Sequence, residues 1–310
     1  MSFTSIVKNE VSKLHVEKIE AIALLSSIIT HSEKTEKVIK ITTENSSLAR
    51  TIFKEIKEMF GTVPKITVRK GYNYNKNYIY ILEINNNVKT ILNSLGLYAD
   101  DILNIPKDYI VDDIDSIRAY IRGLFLICGS INDPKKSRYH LEFLVSSEKY
   151  AEFIINLLNT FDLNSKYIKR DNKYMVYVKE SEKIGDFLRI INATNALLYY
   201  EDIRIYRDHK NMTNRLNNCE QANIDKIFLT SSAQIRDIER LKQYDMIDLL
   251  DEKIQELIEY RLKYPESSLQ ELSDIISLET GNKITKSGLN HRFRKIKEIV
   301  NNLEKKENSN

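Results

Sequence analysis

Apolar positions along the first 200 residues change period in a fixed order, and they do so twice. From Ala21 the segment AIALLSSIITH is an apolar run with helical length and small residues on one face. VIKITTENSSLARTIFKEIKEMFG, from Val38, begins with alternating apolar positions and then shifts to helical spacing, so it predicts a strand followed by a helix. KITVRKG from Lys65 and YIYILEI from Tyr78 read as two further strands, and Val88, Ile91, Leu92 and Leu95 mark a closing helix. The second pass runs AYIRGLFLICGSINDP from Ala119, YHLEFLVSSEKYAEFIINLLNTFD from Tyr139, KYIKRD from Lys166 and YMVYVKE from Tyr174. It closes on Ile184, Phe187, Leu188 and Ile191. Aligned, Ala23 falls on Gly123, Leu24 on Leu124, Leu25 on Phe125, Thr30 on Ser130, Ala49 on Ala151 and Ile56 on Leu158. Six elements in the same order predict two tandem α-β-α-β-β-α units, about residues 14–98 and 113–200. The hairpin turns differ, GYNYNKN in the first unit and RDNK in the second. Small residues let the two apolar helices approach closely, so the pair predicts a pseudo-twofold body.

After Tyr206 the pattern is helical only. Ile235, Ile238 and Leu241 mark one helix, and Ile247, Leu250, Ile254, Leu257 and Ile258 the next, which Pro265 ends. Ser268-Leu-Gln-Glu271 has the capping-box spacing and opens a short helix with Leu269, Leu272, Ile275 and Ile276 inward. Gly281 and Asn282 break that helix, and another starts near Thr285. In this last helix Leu289, Phe293, Ile296, Val300 and Leu303 form a core stripe, with Ser287, Asn290, His291, Arg294 and Lys297 toward the other side. A short helix, a break and a basic amphipathic helix match a helix-turn-helix, whose second helix reads base edges in the major groove. The alternative is a solvated charged face.

Length and composition narrow the classes. A chain of 310 residues is long enough for two domains with cores of their own. No stretch approaches the roughly 20 apolar residues of a membrane span, and MSFTSIVKNEVSK lacks a signal-peptide core, so a cytoplasmic location is expected. Cys128 and Cys219 have no metal-like spacing and suggest reduced thiols, the first buried and the second packing or capping in the junction. The five histidines show no zinc-like spacing, and no glycine-rich phosphate loop is present, so no metal and no cofactor is expected. Net charge is only +3, but from Lys283 to Lys297 there are six Lys/Arg and no acid, whereas Asp245–Glu259 is acidic. Local polarity of this kind favours nucleic acid as a partner. Abundant Lys, Ile, Asn and Tyr reflect an AT-rich genome, which weakens any argument from lysine number alone.

The duplicated order, opened each time by a small-residue helix, resembles the LAGLIDADG homing endonucleases. Adding NRLNNCEQAN from Asn214, GSINDP from Gly129 and KSGLNHRFRK from Lys286, the chain resembles the WhiA family over its length to about Leu303. The resemblance implies an α+β fold: a duplicated LAGLIDADG-like domain with pseudo-twofold symmetry, followed by an all-α helix-turn-helix domain. The expected divisions are 1–207 for the first domain, 208–222 for a linker, 223–303 for the helix-turn-helix and 304–310 for a disordered tail. It also implies a nucleoid-associated regulator of cell division and chromosome segregation, with sporulation the process in related bacteria.

In the endonucleases each motif helix ends in an acid that holds divalent metal against the scissile phosphate, as two-metal cleavage requires. The matching positions here are Ile28 and Cys128, with Leu126 at the other motif aspartate, and none is a hard oxygen donor. Asp133, just before Pro134, reads as a turn residue. No catalytic residue is therefore expected. The candidate DNA contacts are Lys283, Lys286, Ser287, Asn290, His291, Arg292, Arg294, Lys295 and Lys297. Further nucleic-acid contacts are expected from the hairpins at Lys65, Arg69 and Lys76, beside Thr67, and at Lys166, Lys169, Arg170 and Lys173. Ile66, Val68, Ile79 and Ile81 are expected beneath the first set, with Tyr78 and Tyr80 interleaved. A solvent-facing sheet, or a surface for a protein partner, is the other reading of these hairpins, and a structural adaptor or RNA-binding protein the other reading of the chain. An active endonuclease ranks last, and the oligomeric state is open.

Overall fold

Each of the two passes folds into a four-stranded antiparallel sheet with helices on one face. The computed structural model describes residues 2–71, 78–136 and 138–307. The chain divides into two units, one up to Asp208 and one from His209. In the first unit, α1 (Phe3–Val11) and α2 (Lys18–Thr30) precede β1 (Glu33–Lys34), β2 (Ile39–Thr43), α3 (Ser46–Phe60), β3 (Lys65–Lys70), β4 (Tyr78–Ile84) and α4 (Val88–Ser94). The second pass holds α5 (Ile114–Cys128), β5 (Gly129–Ile131), β6 (Leu141–Val145), α6 (Glu148–Asn159), β7 (Lys166–Arg170), β8 (Lys173–Val178) and α7 (Ser181–Ile190). The sheet orders are β1-β2-β4-β3 and β5-β6-β8-β7, so the duplication extends to strand topology. The edge strands β1 and β5 are two and three residues long, too short to carry a readable period.

Local chemistry explains the switch from strand to helix in both passes. Asn45 accepts from the amides of Ser47 and Leu48 (2.9 and 3.1 Å) at the start of α3, and Ser147 accepts from the amide of Tyr150 at the start of α6. The apolar face of each helix then covers its sheet, with Ile41, Ile52 and Leu82 fully buried in the first half and Phe143, Ile154 and Val176 in the second. Helix α1, which the apolar pattern did not mark, belongs to the same core through Phe3, Val7 and Val11. Its Thr4 hydroxyl donates to the carbonyl of Ile131 (2.8 Å) and accepts from the Ile131 amide (3.0 Å), tying the start of the chain to β5.

The two halves meet along α2 and α5, whose Leu24, Leu25, Ile28, Ile121, Leu124 and Phe125 are almost completely buried. A Cβ on Gly123 would lie 2.6 Å from the Leu24 carbonyl oxygen and 3.1 Å from the Ser27 Cβ. The first distance is far inside van der Waals contact with backbone, so α2 approaches as closely as it does because position 123 has no side chain. Tyr120 on α5 adds a buried hydroxyl pair with Tyr150 of α6 (2.8 Å).

Helix α8 (Thr194–Gln243) starts on the first unit, where the Glu10 carboxylate accepts from the amides of Asn195 and Ala196 (2.7 and 3.0 Å). Arg207 donates to the carbonyls of Pro134 and Lys136. Residues 208–222, expected as a linker, are helical and exposed. No Gly or Pro interrupts the segment 194–243, so nothing in it stops a helix. Cys219 is exposed, which corrects the expectation that it packs or caps; the Asn223 amide reaches its sulfur (3.9 Å).

The second unit adds a 3-10 turn at Ile247–Leu249, α9 (Glu252–Lys263), α10 (Leu269–Thr280) and α11 (Lys286–Glu307). The apolar positions from Ile247 to Ile258 do not form one helix, because Asp251 caps α9 and separates it from the turn. Ser268 and Glu271 form the expected capping box, the serine oxygen accepting from the Glu271 amide (3.2 Å) and the carboxylate from the Ser268 amide (2.7 Å). Gly281 ends α10 with φ +70°, a conformation that favours glycine. Helix α11 extends to Glu307, and 308–310 lie outside the described residues.

Two outcomes follow from the packing at α2. Gly123→Ala gains helix propensity but meets the Leu24 carbonyl, and the chain is expected to lose about 1–3 kcal/mol, read as a lower urea midpoint. An unchanged or raised midpoint would show that the helices are not in close contact there. His31 caps the end of α2, its Nδ1–H donating to the Ser27 carbonyl (3.3 Å) with the ring 5.2 Å from that of Tyr150. Burial, aided by Lys34, lowers its pKa from 6.5 to about 4. The unfolded chain therefore takes up the proton first, so stability is full above pH 6.5 and falls as pH drops toward 4, by on the order of 3 kcal/mol from this group. His31→Gln should flatten the stability profile within that window, measured by denaturant unfolding at each pH.

Candidate nucleic-acid interface

Side chains of α10 hold the turn that leads into α11. The hydroxyls of Ser273 and Ser277 donate to the Ile284 carbonyl (2.9 and 3.3 Å), and the Ile284 amide donates back to the Ser277 oxygen (3.0 Å). Thr285 then accepts from the Gly288 amide (3.2 Å) and starts the helix. Leu289, Phe293, Ile296 and Val300 are buried against Leu257, Ile258, Leu272 and Ile276, which fixes the rotation of α11 about its axis. Ser287, Asn290, His291, Arg294 and Lys297 consequently share the exposed side, at steps of three and four residues. Lys283, Lys286 and Lys295 are exposed as well. Arg292 is different: it is half-buried, and its guanidinium donates to the Lys253 carbonyl (3.1 Å) at the start of α9. It holds α11 to α9 instead of standing free on the basic face.

In the first unit, strand register decides which expected contacts share a face. Thr67 pairs with Ile81 and Arg69 with Ile79, and directly paired residues point to the same side of a sheet. Ile79 and Ile81 therefore lie on the face of Lys65, Thr67 and Arg69, not beneath it. Lys40 and Thr42 of β2 join that face. Ile66, Val68, Tyr78 and Tyr80 occupy the other face with the buried Leu82, so the tyrosines are not interleaved among the basic side chains. Ile66 and Val68 are only partly covered, at 42% and 52% exposure, because they lie on an edge strand. Lys76 lies outside the described residues. In the second sheet Lys166, Arg170 and Lys173 share the outward face with Ile168, whereas Lys169 pairs with Tyr174 on the opposite face.

Between the two outward faces, at the ends of α2 and α5, lies a cavity of about 570 Å³. Its lining includes His31, Lys34, Lys40, Cys128, Tyr150 and Lys173, and its one carboxylate, Glu33, pairs with Lys40 (3.3 Å). Ile28 is fully buried and Leu126 nearly so. The Cys128 thiol donates to the Leu124 carbonyl (3.4 Å), and burial pushes its pKa up to about 12, which keeps it protonated at neutral pH. Asp133 accepts from the Lys135 amide (2.9 Å) in a turn, as its position before Pro134 predicted. Among the described residues no three His, Cys, Asp or Glu side chains are grouped to hold a metal ion. The donor set around this cavity suits an anion better than a divalent cation.

Two contributors escaped the sequence reading. Lys40 was readable, since it alternates with the buried Ile39 and Ile41. Arg261 lies one turn beyond Leu257 and Ile258 on the buried stripe of α9, and it is only 1% exposed. A charged residue at a core position of an amphipathic helix was the available signal.

Comparison with known proteins is consistent along the whole chain. Residues 15–98 match the WhiA N-terminal LAGLIDADG-like domain, 117–210 the WhiA LAGLIDADG-like domain and 213–300 the WhiA C-terminal HTH domain. A protein of Clostridium botulinum (strain Hall), named "Probable cell division protein WhiA", is 43% identical over 98% of this chain and 99% of its own length. A protein of the same name from Staphylococcus aureus (strain USA300) is 39% identical over 98% of each. The crystal structure of full-length WhiA from Thermatoga maritima shares the fold with a TM-score of 0.56 at 23% identity, covering 97% of this chain and 99% of that one. No helix among the described residues is long and apolar enough to cross a membrane. Three consecutive domain matches and relatives aligned end to end place two LAGLIDADG-like halves and a helix-turn-helix in one polypeptide: the chain belongs to the WhiA family.

Proposed function

We propose that this chain is a non-catalytic, sequence-specific DNA-binding regulator of bacterial cell division and chromosome segregation, working in the cytoplasm at the nucleoid. The observation that carries the reading is the exposed face of α11, where Ser287, Asn290, His291 and Arg294 stand together on a helix whose rotation the core fixes. Asn290 and Arg294 have the donor geometry to read adenine and guanine edges, while Lys283, Lys286, Lys295 and Lys297 contact phosphates. The role in cell division follows the names of the relatives. Lys65 and Arg69, with Lys166, Arg170 and Lys173, extend the footprint or receive a protein partner; Lys169, on the opposite sheet face, leaves that set.

Absence of cleavage follows from chemistry at the helix ends. A buried isoleucine and a protonated thiol cannot hold Mg²⁺ against a phosphate. With plasmid and Mg²⁺ or Mn²⁺ the chain should leave supercoiled DNA intact; nicking would overturn this part of the proposal.

Binding itself is tested by fluorescence anisotropy with duplex DNA across a salt series. Affinity should fall with a log–log slope of about −0.9 for each phosphate neutralised. Arg294→Ala should cost about 1–3 kcal/mol on the preferred sequence and relax preference at one position. A flat salt series, or an Arg294→Ala variant with unchanged sequence preference, contradicts the assignment.

A further inference from the structure

A second cavity, of about 430 Å³, lies wholly within the second unit, where the end of α9 and the first turns of α10 and α11 meet the later part of α8. Lys226, Thr230, Arg261, Ser267, Ser268 and Lys286 are among its lining residues, and no lining side chain is acidic. Arg261 is the unusual member. It is 1% exposed and sits 5.5 Å from the Phe293 ring, and one of its Nη atoms donates to the carbonyls of Tyr264 (3.3 Å) and Ser267 (2.7 Å). Its Nε–H has no hydrogen-bond partner among the described residues. Burial lowers its pKa, and no neighbouring carboxylate contributes to offset that.

An arginine taken out of water without a counter-charge costs several kcal/mol, and a missing hydrogen bond adds to that cost. Two lysines on the rim of the same cavity make its charge more positive still. The hydroxyls of Thr230, Ser267 and Ser268 supply neutral donors beside them, while the Ser268 and Glu271 amides at the start of α10 are already used by the capping box. The class of ligand that suits this lining is a tetrahedral oxyanion, which brings the missing negative charge and several acceptor oxygens.

The geometry points to a phosphate site in this cavity, in which Arg261 donates from below and Lys226 and Lys286 close over the ligand. The phosphate comes either from the DNA backbone beside the groove that α11 enters or from a free phosphate-bearing molecule. The first source rests on the DNA-binding reading proposed above; the site itself does not. Arg261 also ties the loop after α9, so an occupied site would hold α9, α10 and α11 together.

The test uses the full chain and the NMR resonance of the Arg261 Nε–H group. Inorganic phosphate is titrated against chloride at constant ionic strength, and duplex DNA in a second series, with DNA binding read separately by anisotropy. A saturable shift of this resonance is expected, and Lys226→Ala, an exposed change away from the core, should weaken it roughly tenfold, the share of one charge-assisted hydrogen bond. If DNA moves the resonance and Lys226→Ala lowers the salt slope by about 1, the backbone is the source. A shift with phosphate alone assigns a free ligand, and it does so even if the duplex fails to bind and the DNA-binding reading falls. If neither titrant moves the Arg261 resonance, or if Lys226→Ala leaves the titration unchanged, there is no phosphate site.

Discussion

The close approach of α2 and α5 is the constraint on which the first unit depends. Each sheet has one apolar face, and each of the two helices covers part of it, so neither half closes its core alone. With the Leu24 carbonyl directly over Gly123, the helices pack backbone to backbone and the two sheets are held as a pair. The cost is chemical as well as steric. Toward the ends of these helices Ile28 and Leu126 lie in the core, and Cys128, half-buried, lines the cavity with its thiol bonded to the Leu124 carbonyl. A metal ion would need ionised oxygen ligands at those positions, where burial opposes any charge not matched by the ion. Lys34, Lys40 and Lys173 give the lining of this cavity its basic character.

A similar division between packing and recognition governs the second unit. Phe293 and Ile296 fix α11, Arg292 fastens it to α9, and Ser287, Asn290, His291 and Arg294 are left exposed. The hydrogen bonds from Ser273 and Ser277 to Ile284 set the turn without using any residue of the exposed face. A reading helix must present its side chains in one orientation to distinguish bases, and a rigid turn limits the rotation that would blur that choice.

Much of the architecture was legible because apolar period and capping chemistry agree locally. The strand-to-helix changes in the segments from Val38 and Tyr139, the capping box at Ser268 and the break at Gly281 all fall where the sequence pattern places them. What escaped depends on partners distant in sequence. The face of Ile79 and Ile81 is set by their pairing with Arg69 and Thr67 across a hairpin, and one residue of register exchanges the two faces. The two hairpins differ in loop length, so aligning the repeats does not carry the register from one to the other. Lys169 was placed with its basic neighbours for the same reason. At the candidate reading helix the stripe of Leu289 and Phe293 identified the exposed residues, but the bond from Arg292 to the Lys253 carbonyl could not be seen from charge pattern alone.

The proposal of a DNA-binding protein that does not cut rests on the helix ends at Ile28 and Cys128 and on the exposed face of α11. Sequencing the DNA cross-linked to the chain in growing cells tests this most directly. The account expects a discrete set of sites sharing a sequence motif, which disappears when Asn290 and Arg294 are both replaced by alanine. Diffuse coverage of the chromosome, or a motif that survives the double substitution, would contradict it.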